Sequence, residues 1–283
     1  MSKKSPVSKK KGATSKKSTG SRSKDKDTKP PKSTPSTGCA SIDVVDPSEG
    51  VTSVLVITAH PDDVDFGAAG TVARMTSAGV EVTYCLVTDG DAGGSDLNST
   101  AEQRAALRRR EQTIAASHVG VTSLIFLGHL DGQVQVTLDL RKDLARVIRK
   151  VRPDRVICQS PEINLDRIYA SHPDHVAAGT AAIFAVYPDA RNPFAYPELL
   201  QDEGLEPHPV PEVWVMSMKE PTIAVDTTDA IPAKLAALGS HESQVGDGAH
   251  LEELIVNWGQ MTAQAAGMPK DRTAEAFKVV DTK

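Results

Sequence analysis

Short apolar runs rich in β-branched residues alternate with longer segments of mixed polarity along most of the chain. The apolar runs predict buried strands over 51–58 (VTSVLVIT), 80–88 (VEVTYCLVT), 123–127 (SLIFL) and 155–159 (RVICQ). The other segments predict helices over 68–78, 100–118 and 138–151, with a further helix within 173–186. Strands and helices that alternate at this spacing indicate βαβ units. The sequence therefore predicts a Rossmann-like α/β fold, a three-layer sandwich with a mostly parallel sheet.

The N-terminal segment lacks this alternation. It consists of Lys, Ser, Thr, Pro and Gly with almost no large apolar residues, so it cannot bury enough surface to offset its chain entropy. We predict a disordered tail over 1–50 and one folded domain over 51–283. Residues 1–40 hold twelve basic and two acidic residues, and the rest of the chain carries a net charge of −15. The basic tail suits contact with an anionic surface, although a passive, solubilising tail is the simpler interpretation.

Several classes of protein are disfavoured by what the chain lacks. It has no apolar stretch of membrane-spanning length, and no apolar region follows the basic N-terminus as in a secretory signal. Three cysteines without a CxxC pattern argue against a disulfide framework, and Cys85 and Cys158 lie in predicted buried strands. We therefore expect no membrane span and a reducing, cytoplasmic location.

Two histidine–carboxylate motifs follow predicted strands. The sequence HPDD at 60–63 comes directly after the first strand, and HPDH at 172–175 follows the fourth. Because ligands of parallel sheets bind at the carboxyl ends of the strands, both motifs are placed where a site is expected. Either motif alone is compatible with a turn or a helix start. The pair favours a metal site.

A catalytic zinc ion usually takes three protein ligands and leaves one position for water. His60, Asp63 and His175 fit that requirement. The ion would lower the pKa of the water and polarise a substrate carbonyl. Amide hydrolysis also needs a group that takes the water proton and one that protonates the leaving amine, and Asp62 and His172 remain for these roles.

The pair AHPDD at 59–63 and SHPDH at 171–175 resembles the signature of the LmbE-like or PIG-L family of metal-dependent N-deacetylases. Members of this family act on N-acetylglucosaminyl groups. The resemblance spans residues 52–244 and extends more weakly to the end of the chain. Further similar segments are VTDGDAGG at 87–94, FLGHLDG at 126–132, KLAALGSHESQ at 234–244 and AEAF at 274–277.

The resemblance implies a zinc site with the ligands His60, Asp63 and His175. It also implies that Asp62 is the general base and that His172 protonates the leaving group or stabilises the oxyanion, with Asp174 orienting His172. Many members carry Glu where this chain has Val64. That position is not a ligand in the family, so the departure bears on the substrate subgroup rather than on activity.

Weaker candidates for substrate contact lie elsewhere. Arg108 or Arg109 could bind a substrate hydroxyl or phosphate, or simply belong to a solvated helix face. Asp89 stands in a glycine-rich loop that could close over substrate or act as a plain turn. His241 in the SHESQ segment is left outside the catalytic set, because a lone histidine is more often structural.

These features predict a zinc-dependent hydrolase that removes an N-acetyl group from an N-acetylglucosamine-type sugar or glycoside, with a small amino sugar as its partner. The same ligands would accept Fe²⁺, Co²⁺ or Ni²⁺. One alternative is an amidase with the same machinery and a larger amide substrate, such as a thiol-sugar conjugate. A second is a metal-binding or scaffolding protein without activity, which would leave Asp62 and His172 without a purpose.

Overall fold

The computed structural model describes residues 42–166, 168–246, 248 and 250–283. The predicted disorder of residues 1–41 and their contact with an anionic surface lie outside these residues. The prediction that residues 42–50 belong to the tail is wrong. Asp43 and Val44 pair in parallel with Ile223 and Ala224, and the amide of Val45 donates to the carbonyl of Ala224 over 2.9 Å. Two paired residues are too few to produce a recognisable alternation in sequence.

The strands are β1 Asp43–Val44, β2 Ser53–Thr58, β3 Glu81–Thr88, β4 Ser123–His129, β5 Arg155–Cys158, β6 Glu212–Met216, β7 Ile223–Asp226 and β8 Ala274–Asp281. The helices are α1 Asp63–Gly67, α2 Ala69–Ser77, α3 Ala101–His118, α4 Leu138–Val151, α5 Pro173–Phe184, α6 Pro197–Gln201, α7 Ile231–Gly239, α8 Glu242–Val245 and α9 Leu251–Ala265. Short 3₁₀ turns lie at Ile168–Ser171 and Thr228–Ala230, and α5 continues into a kinked segment, Ala185–Ala190. Each predicted strand and helix is present within a few residues of its expected ends.

The strands form one sheet in the order β1-β7-β8-β6-β5-β2-β3-β4, and only β8 runs antiparallel to its neighbours among the described residues. One face packs on α2, α3 and α7 through an apolar cluster that includes Val72, Ala115 and Ala237. The other face packs on α4 and α5 through a cluster that includes Leu144 and Ala178. The predicted three-layer α/β sandwich with a mostly parallel sheet is confirmed.

The chain order of the strands reverses beside β2. From β2 the chain adds β3 and β4 on one side, and it then crosses back to place β5 on the other side. Such a reversal leaves a crevice at the carboxyl ends of the two strands, where open α/β sheets bind ligands. The motif at 60–63 leaves β2 and the motif at 172–175 follows β5, so both border this crevice.

The local sequence fixes how each motif leaves its strand. Pro173 occupies the first turn of α5, where its missing N–H has no intrahelical partner to lose, and His172 caps that helix. Asp62 precedes α1 in a left-handed conformation, with φ 87° and ψ −29°. No helix of the described residues is long and apolar enough to cross a membrane.

Candidate active site

Three side chains from the two motifs point their polar atoms at one another. His60 Nδ1 lies 3.2 Å from His175 Nε2 and 3.4 Å from Asp63 Oδ2, and His175 Nε2 lies 3.0 Å from Asp63 Oδ1. Four-coordinate zinc with ligand bonds of about 2.1 Å holds its ligand atoms about 3.4 Å apart. Two imidazole nitrogens and a carboxylate at these separations fit a divalent transition-metal ion.

The other ring nitrogen of His60 faces two further carboxylates. His60 Nε2 lies 3.0 Å from Asp131 Oδ1 and 3.1 Å from Asp174 Oδ2. Metal-binding histidines commonly donate their second N–H to a carboxylate, which fixes the tautomer and the ring orientation. His60, Asp131 and Asp174 also form a group whose ligand atoms lie within 4.8 Å of one another. His60 Nδ1 faces the cluster with His175, so only Nε2 is left to contact the two carboxylates. We therefore interpret Asp131 and Asp174 as partners that orient the His60 ring.

The Asp174 carboxylate faces His60, so the prediction that Asp174 orients His172 depends on the main chain of Asp174 and stays a prediction. Besides His60, that carboxylate accepts hydrogen bonds from the amides of Gly132, over 2.7 Å, and Val134, over 3.2 Å. The Asp174 side chain therefore ties the loop after β4 to His60. It is the main-chain N–H of Asp174 that contacts His172, donating to His172 Nδ1 over 3.2 Å.

The cluster is electrostatically suited to a cation. Burial lowers the pKa of His60, but hydrogen bonds to Asp131 and Asp63 outweigh burial and raise it to about 11. Burial would raise the pKa of Asp63, but the opposite charge and hydrogen bond of His175 hold it well below its usual range. Carboxylates that stabilise a proton on a buried imidazole would also stabilise a metal ion bound in place of that proton.

Asp62 lies beside this cluster and is held at two points. Arg108 Nη2 lies 2.9 Å from Asp62 Oδ2, and the amide of Asp62 donates to Gln112 Oε1 over 2.8 Å. A non-glycine residue with φ 87° costs on the order of 1–3 kcal/mol and persists only where its surroundings impose it. Burial and the charge of Asp63 raise the pKa of Asp62 to about 7, against the opposing charge of Arg108.

His172 stands at the rim of the cluster and is exposed on one side. Its ring centroid lies 5.1 Å from that of His60 and 5.2 Å from that of His175. Desolvation, with the charges of His60 and His175, lowers the pKa of His172. Since Nδ1 accepts from the amide of Asp174, the proton of the neutral ring resides on Nε2. His172 can therefore donate a hydrogen bond from Nε2.

Comparison with known proteins adds to this geometry. The family profile described as GlcNAc-PI de-N-acetylase, or PIG-L, matches residues 55–186, which include both motifs. A diacetylchitobiose deacetylase of Thermococcus kodakarensis is 35% identical over 199 residues, which cover 70% of this chain and 72% of the relative. The chain belongs to the PIG-L family.

Two further proteins support the assignment to this family of amide hydrolases. A probable N-acetyl-α-D-glucosaminyl L-malate deacetylase 2 of Bacillus cereus is 31% identical over 198 residues, covering 68% of this chain and 83% of the relative. The solved structure of N,N′-diacetylchitobiose deacetylase from Pyrococcus horikoshii with its inhibitor MPG superposes with a TM-score of 0.77 at 30% identity. The match covers 84% of this chain and 87% of that one.

The three predicted substrate contacts have different surroundings in this PIG-L domain. Arg108 is buried, and it donates to the carbonyl of Pro61 as well as to Asp62. Arg109 is exposed, pairs with Asp89 and stacks over the ring of Phe126 at 5.2 Å. Arg108 thus supports the motif at 60–63, while Arg109 and Asp89 neutralise each other beside it. Direct contact of any of the three with substrate stays a prediction.

Three side chains outside the predicted site contact the motifs or the residues that support them. They are Asp131 beside His60, Gln112 beside Asp62, and His241, which donates to Asp65 over 2.8 Å. A weak signal existed for two of them, because Asp131 and His241 lie in segments that resemble the family. Gln112 had none, since a glutamine in a charged helix is ordinarily a solvated residue.

Proposed function

We propose that this protein removes the N-acetyl group from an N-acetylglucosamine-type sugar or glycoside, with zinc held by His60, Asp63 and His175. The proposal depends chiefly on one observation. Asp62, a partly buried carboxylate, is held by Arg108 beside three converging ligand atoms at the sheet crevice. The PIG-L relatives named as deacetylases of N-acetylglucosamine compounds support this substrate class.

A zinc ion bound by the three ligands would acidify a water molecule and polarise the acyl carbonyl. Asp62 then accepts the proton of the attacking water. Burial and the neighbouring charge of Asp63 raise the pKa of Asp62, which suits a group that takes up the proton of the water. Arg108 keeps the carboxylate in place through its 2.9 Å contact.

His172 completes the proposed reaction. Its Nε2–H donates a hydrogen bond to the carbonyl oxygen as negative charge develops there. Asp62 delivers the proton that it took from the water to the leaving amine as the C–N bond breaks, while His172 keeps its Nε2 proton. Acetate and a free amino sugar result, and no other reactant is consumed.

The function is tested by primary-amine release from N-acetylglucosamine, N,N′-diacetylchitobiose and further N-acetylglucosaminides. Metal-free and zinc-restored protein are compared in parallel, and zinc-loaded Asp62→Asn protein provides the control for contaminating activity. We expect zinc-dependent release from at least one glycoside, and release that is slower by at least about 100-fold from the variant. N-butyryl analogues included in the panel distinguish a deacetylase from the alternative, an amidase that accepts larger acyl groups.

Two outcomes would contradict the proposal. Equal release by metal-free and zinc-restored protein would exclude the metal from the reaction. No release from any substrate, together with no bound zinc, would favour a non-catalytic protein. The cytoplasmic location stays a prediction from the sequence.

A further inference from the structure

A chain of buried polar side chains runs behind Asp62 and takes no part in the proposed chemistry. Gln112 on α3 donates from Nε2 to Asp65 Oδ2 over 2.9 Å, and His241 donates from Nε2 to the same oxygen over 2.8 Å. The side chains of Gln112, Asp65 and His241 are fully buried. The other end of the Gln112 amide, Oε1, accepts the main-chain N–H of Asp62 over 2.8 Å.

The direction of every hydrogen bond in this chain is determined. Two nitrogens converge on one oxygen of Asp65, so both must donate to it. Gln112 therefore presents its NH₂ group to Asp65 and has only its carbonyl oxygen left for Asp62. A reversed amide would place its oxygen against a carboxylate and its NH₂ group against an N–H. His241 and Asp65 thereby set the polarity of the group that contacts Asp62.

The segment that carries His241 is itself fixed to α3. The amide and the hydroxyl of Ser243 donate to the two carboxylate oxygens of Glu111, over 2.8 and 2.7 Å. Glu111 precedes Gln112 in the sequence, so the same helix turn binds the 241–243 segment and Asp62. This arrangement leaves Gln112 little freedom to move.

We propose that Gln112, Asp65 and His241 are positioning residues that hold Asp62 in its left-handed conformation and so aim its carboxylate at the catalytic centre. Asp62 has φ 87° without a side-chain cap of its own, and its N–H is held by Gln112. Arg108 holds the carboxylate and Gln112 holds the main chain, so the orientation of Asp62 depends on both contacts. The inference rests on the proposed role of Asp62 as general base.

The first test is Gln112→Met, which keeps the side-chain length and removes both hydrogen bonds. We expect kcat to fall about 30- to 100-fold with KM changed less than about 3-fold, because a misplaced catalytic group lowers the rate more than binding. Zinc content should stay unchanged. The matched control is Asp189→Asn, which breaks the buried pair of Asp189 with Arg141 and should change kcat less than about 2-fold. Equal losses in both variants would overturn the proposal.

A pair of substitutions at His241 tests the chain one step further away. His241→Gln retains an N–H donor for Asp65, whereas His241→Leu does not. We expect about a 10-fold loss of kcat in the leucine variant and recovery of most of it in the glutamine variant. The two His241 variants also test the positioning proposal if Gln112→Met does not fold. Identical kcat values in the two His241 variants would contradict the proposal.

Combination with Asp62→Ala separates positioning from general damage. If Gln112 acts through Asp62, Gln112→Met should lower the residual rate of Asp62→Ala protein by less than about 2-fold. A multiplied loss in the double variant would assign Gln112 a different role. If no substrate is turned over by the unaltered protein, the proposed function fails, and crystal structures decide the inference separately. We expect φ of Asp62 to leave the positive region in Gln112→Met protein. An unchanged φ would overturn the positioning proposal.

Discussion

Arg108 Nη2 lies 2.9 Å from Asp62 Oδ2, and the same nitrogen donates to the carbonyl of Pro61. One guanidinium therefore fixes both the carboxylate and the turn that carries it. The neighbouring arginines of α3 have no such contact, since Arg109 pairs with Asp89 and Arg110 is exposed.

Replacement of Arg108 should impair catalysis because it releases the Asp62 carboxylate. We expect Arg108→Met to lower kcat about 10- to 100-fold, in line with the sensitivity of rate to small displacements of catalytic groups. Steady-state amine release measures the effect. Arg110→Met on the same helix provides the control and should remain within about 2-fold of the unaltered protein. An equally small effect of Arg108→Met would show that catalysis does not depend on the contact of Arg108 with Asp62.

Replacement of Asp62 should slow turnover strongly but keep the metal. Asp62→Asn retains the shape of the side chain and loses the basic oxygen, so kcat should fall at least about 100-fold, as expected for loss of a general base. Zinc content, measured by mass spectrometry of the metal, should stay near that of the unaltered protein. The exposed Asp202→Asn is the control. A kcat within a few-fold of normal would show that another group takes the water proton.

His175→Ala should lose both zinc and activity, because it removes one of three converging ligand atoms. His118 is exposed at the end of α3 and lies outside this cluster, so His118→Ala should leave metal content unchanged. Chelation of the unaltered protein should likewise abolish amine release, and added zinc should restore it. Retention of one tightly bound zinc per chain in His175→Ala protein would show that zinc binds at a different site.

Gly179 on α5 allows that helix to approach the end of β5. A Cβ atom at this position would lie 2.3 Å from the carbonyl oxygen of Gln159, a contact that the backbone cannot tolerate. We expect Gly179→Ala to lower the free energy of unfolding by about 2–3 kcal/mol, as for overpacked interiors. Gly239→Ala at the end of α7 meets open space and should be neutral or slightly stabilising. Urea denaturation compares the two, and equal stabilities would show that α5 can shift.

Asp154 should make stability depend on acid pH. It accepts hydrogen bonds from the amides of Thr52 and Ser53 and from the Thr52 hydroxyl. Burial opposes ionisation, but these bonds outweigh it and lower the pKa of Asp154. A lowered pKa in the folded state adds stability above the unfolded value of about 3.9, and this stability is lost as pH falls through the folded pKa.

We therefore expect Asp154→Asn to lower the free energy of unfolding by about 1 kcal/mol at neutral pH, a value discounted for partial solvent exposure. The difference between variant and unaltered protein should shrink as the pH is lowered below about 4. Urea denaturation at several pH values measures it, with Asp202→Asn as the exposed control. A difference independent of pH would assign the loss to packing rather than to charge.

The sequence alone determined the class of fold and the position of the two motifs. The predicted strands and helices agree with the structure because their periodicity is a local property of burial on a sheet or helix face. The parallel arrangement then brings the ends of β2 and β5 together, which is why motifs 112 residues apart, at 60–63 and 172–175, were expected in one site. The strands β1, β6, β7 and β8 were not predicted, since their pairing depends on distant partners.

The tertiary structure decided which groups support the motifs. Asp174 contacts His60 across 114 positions, Gln112 contacts Asp62 across 50, and His241 contacts Asp65 across 176. Such contacts depend on the direction in which a side chain leaves its helix and on which neighbour remains without a hydrogen-bond partner after packing. Neither quantity has a local pattern in the chain. The sequence therefore indicated the candidate reacting groups, whereas only the packed fold determined what holds them in place.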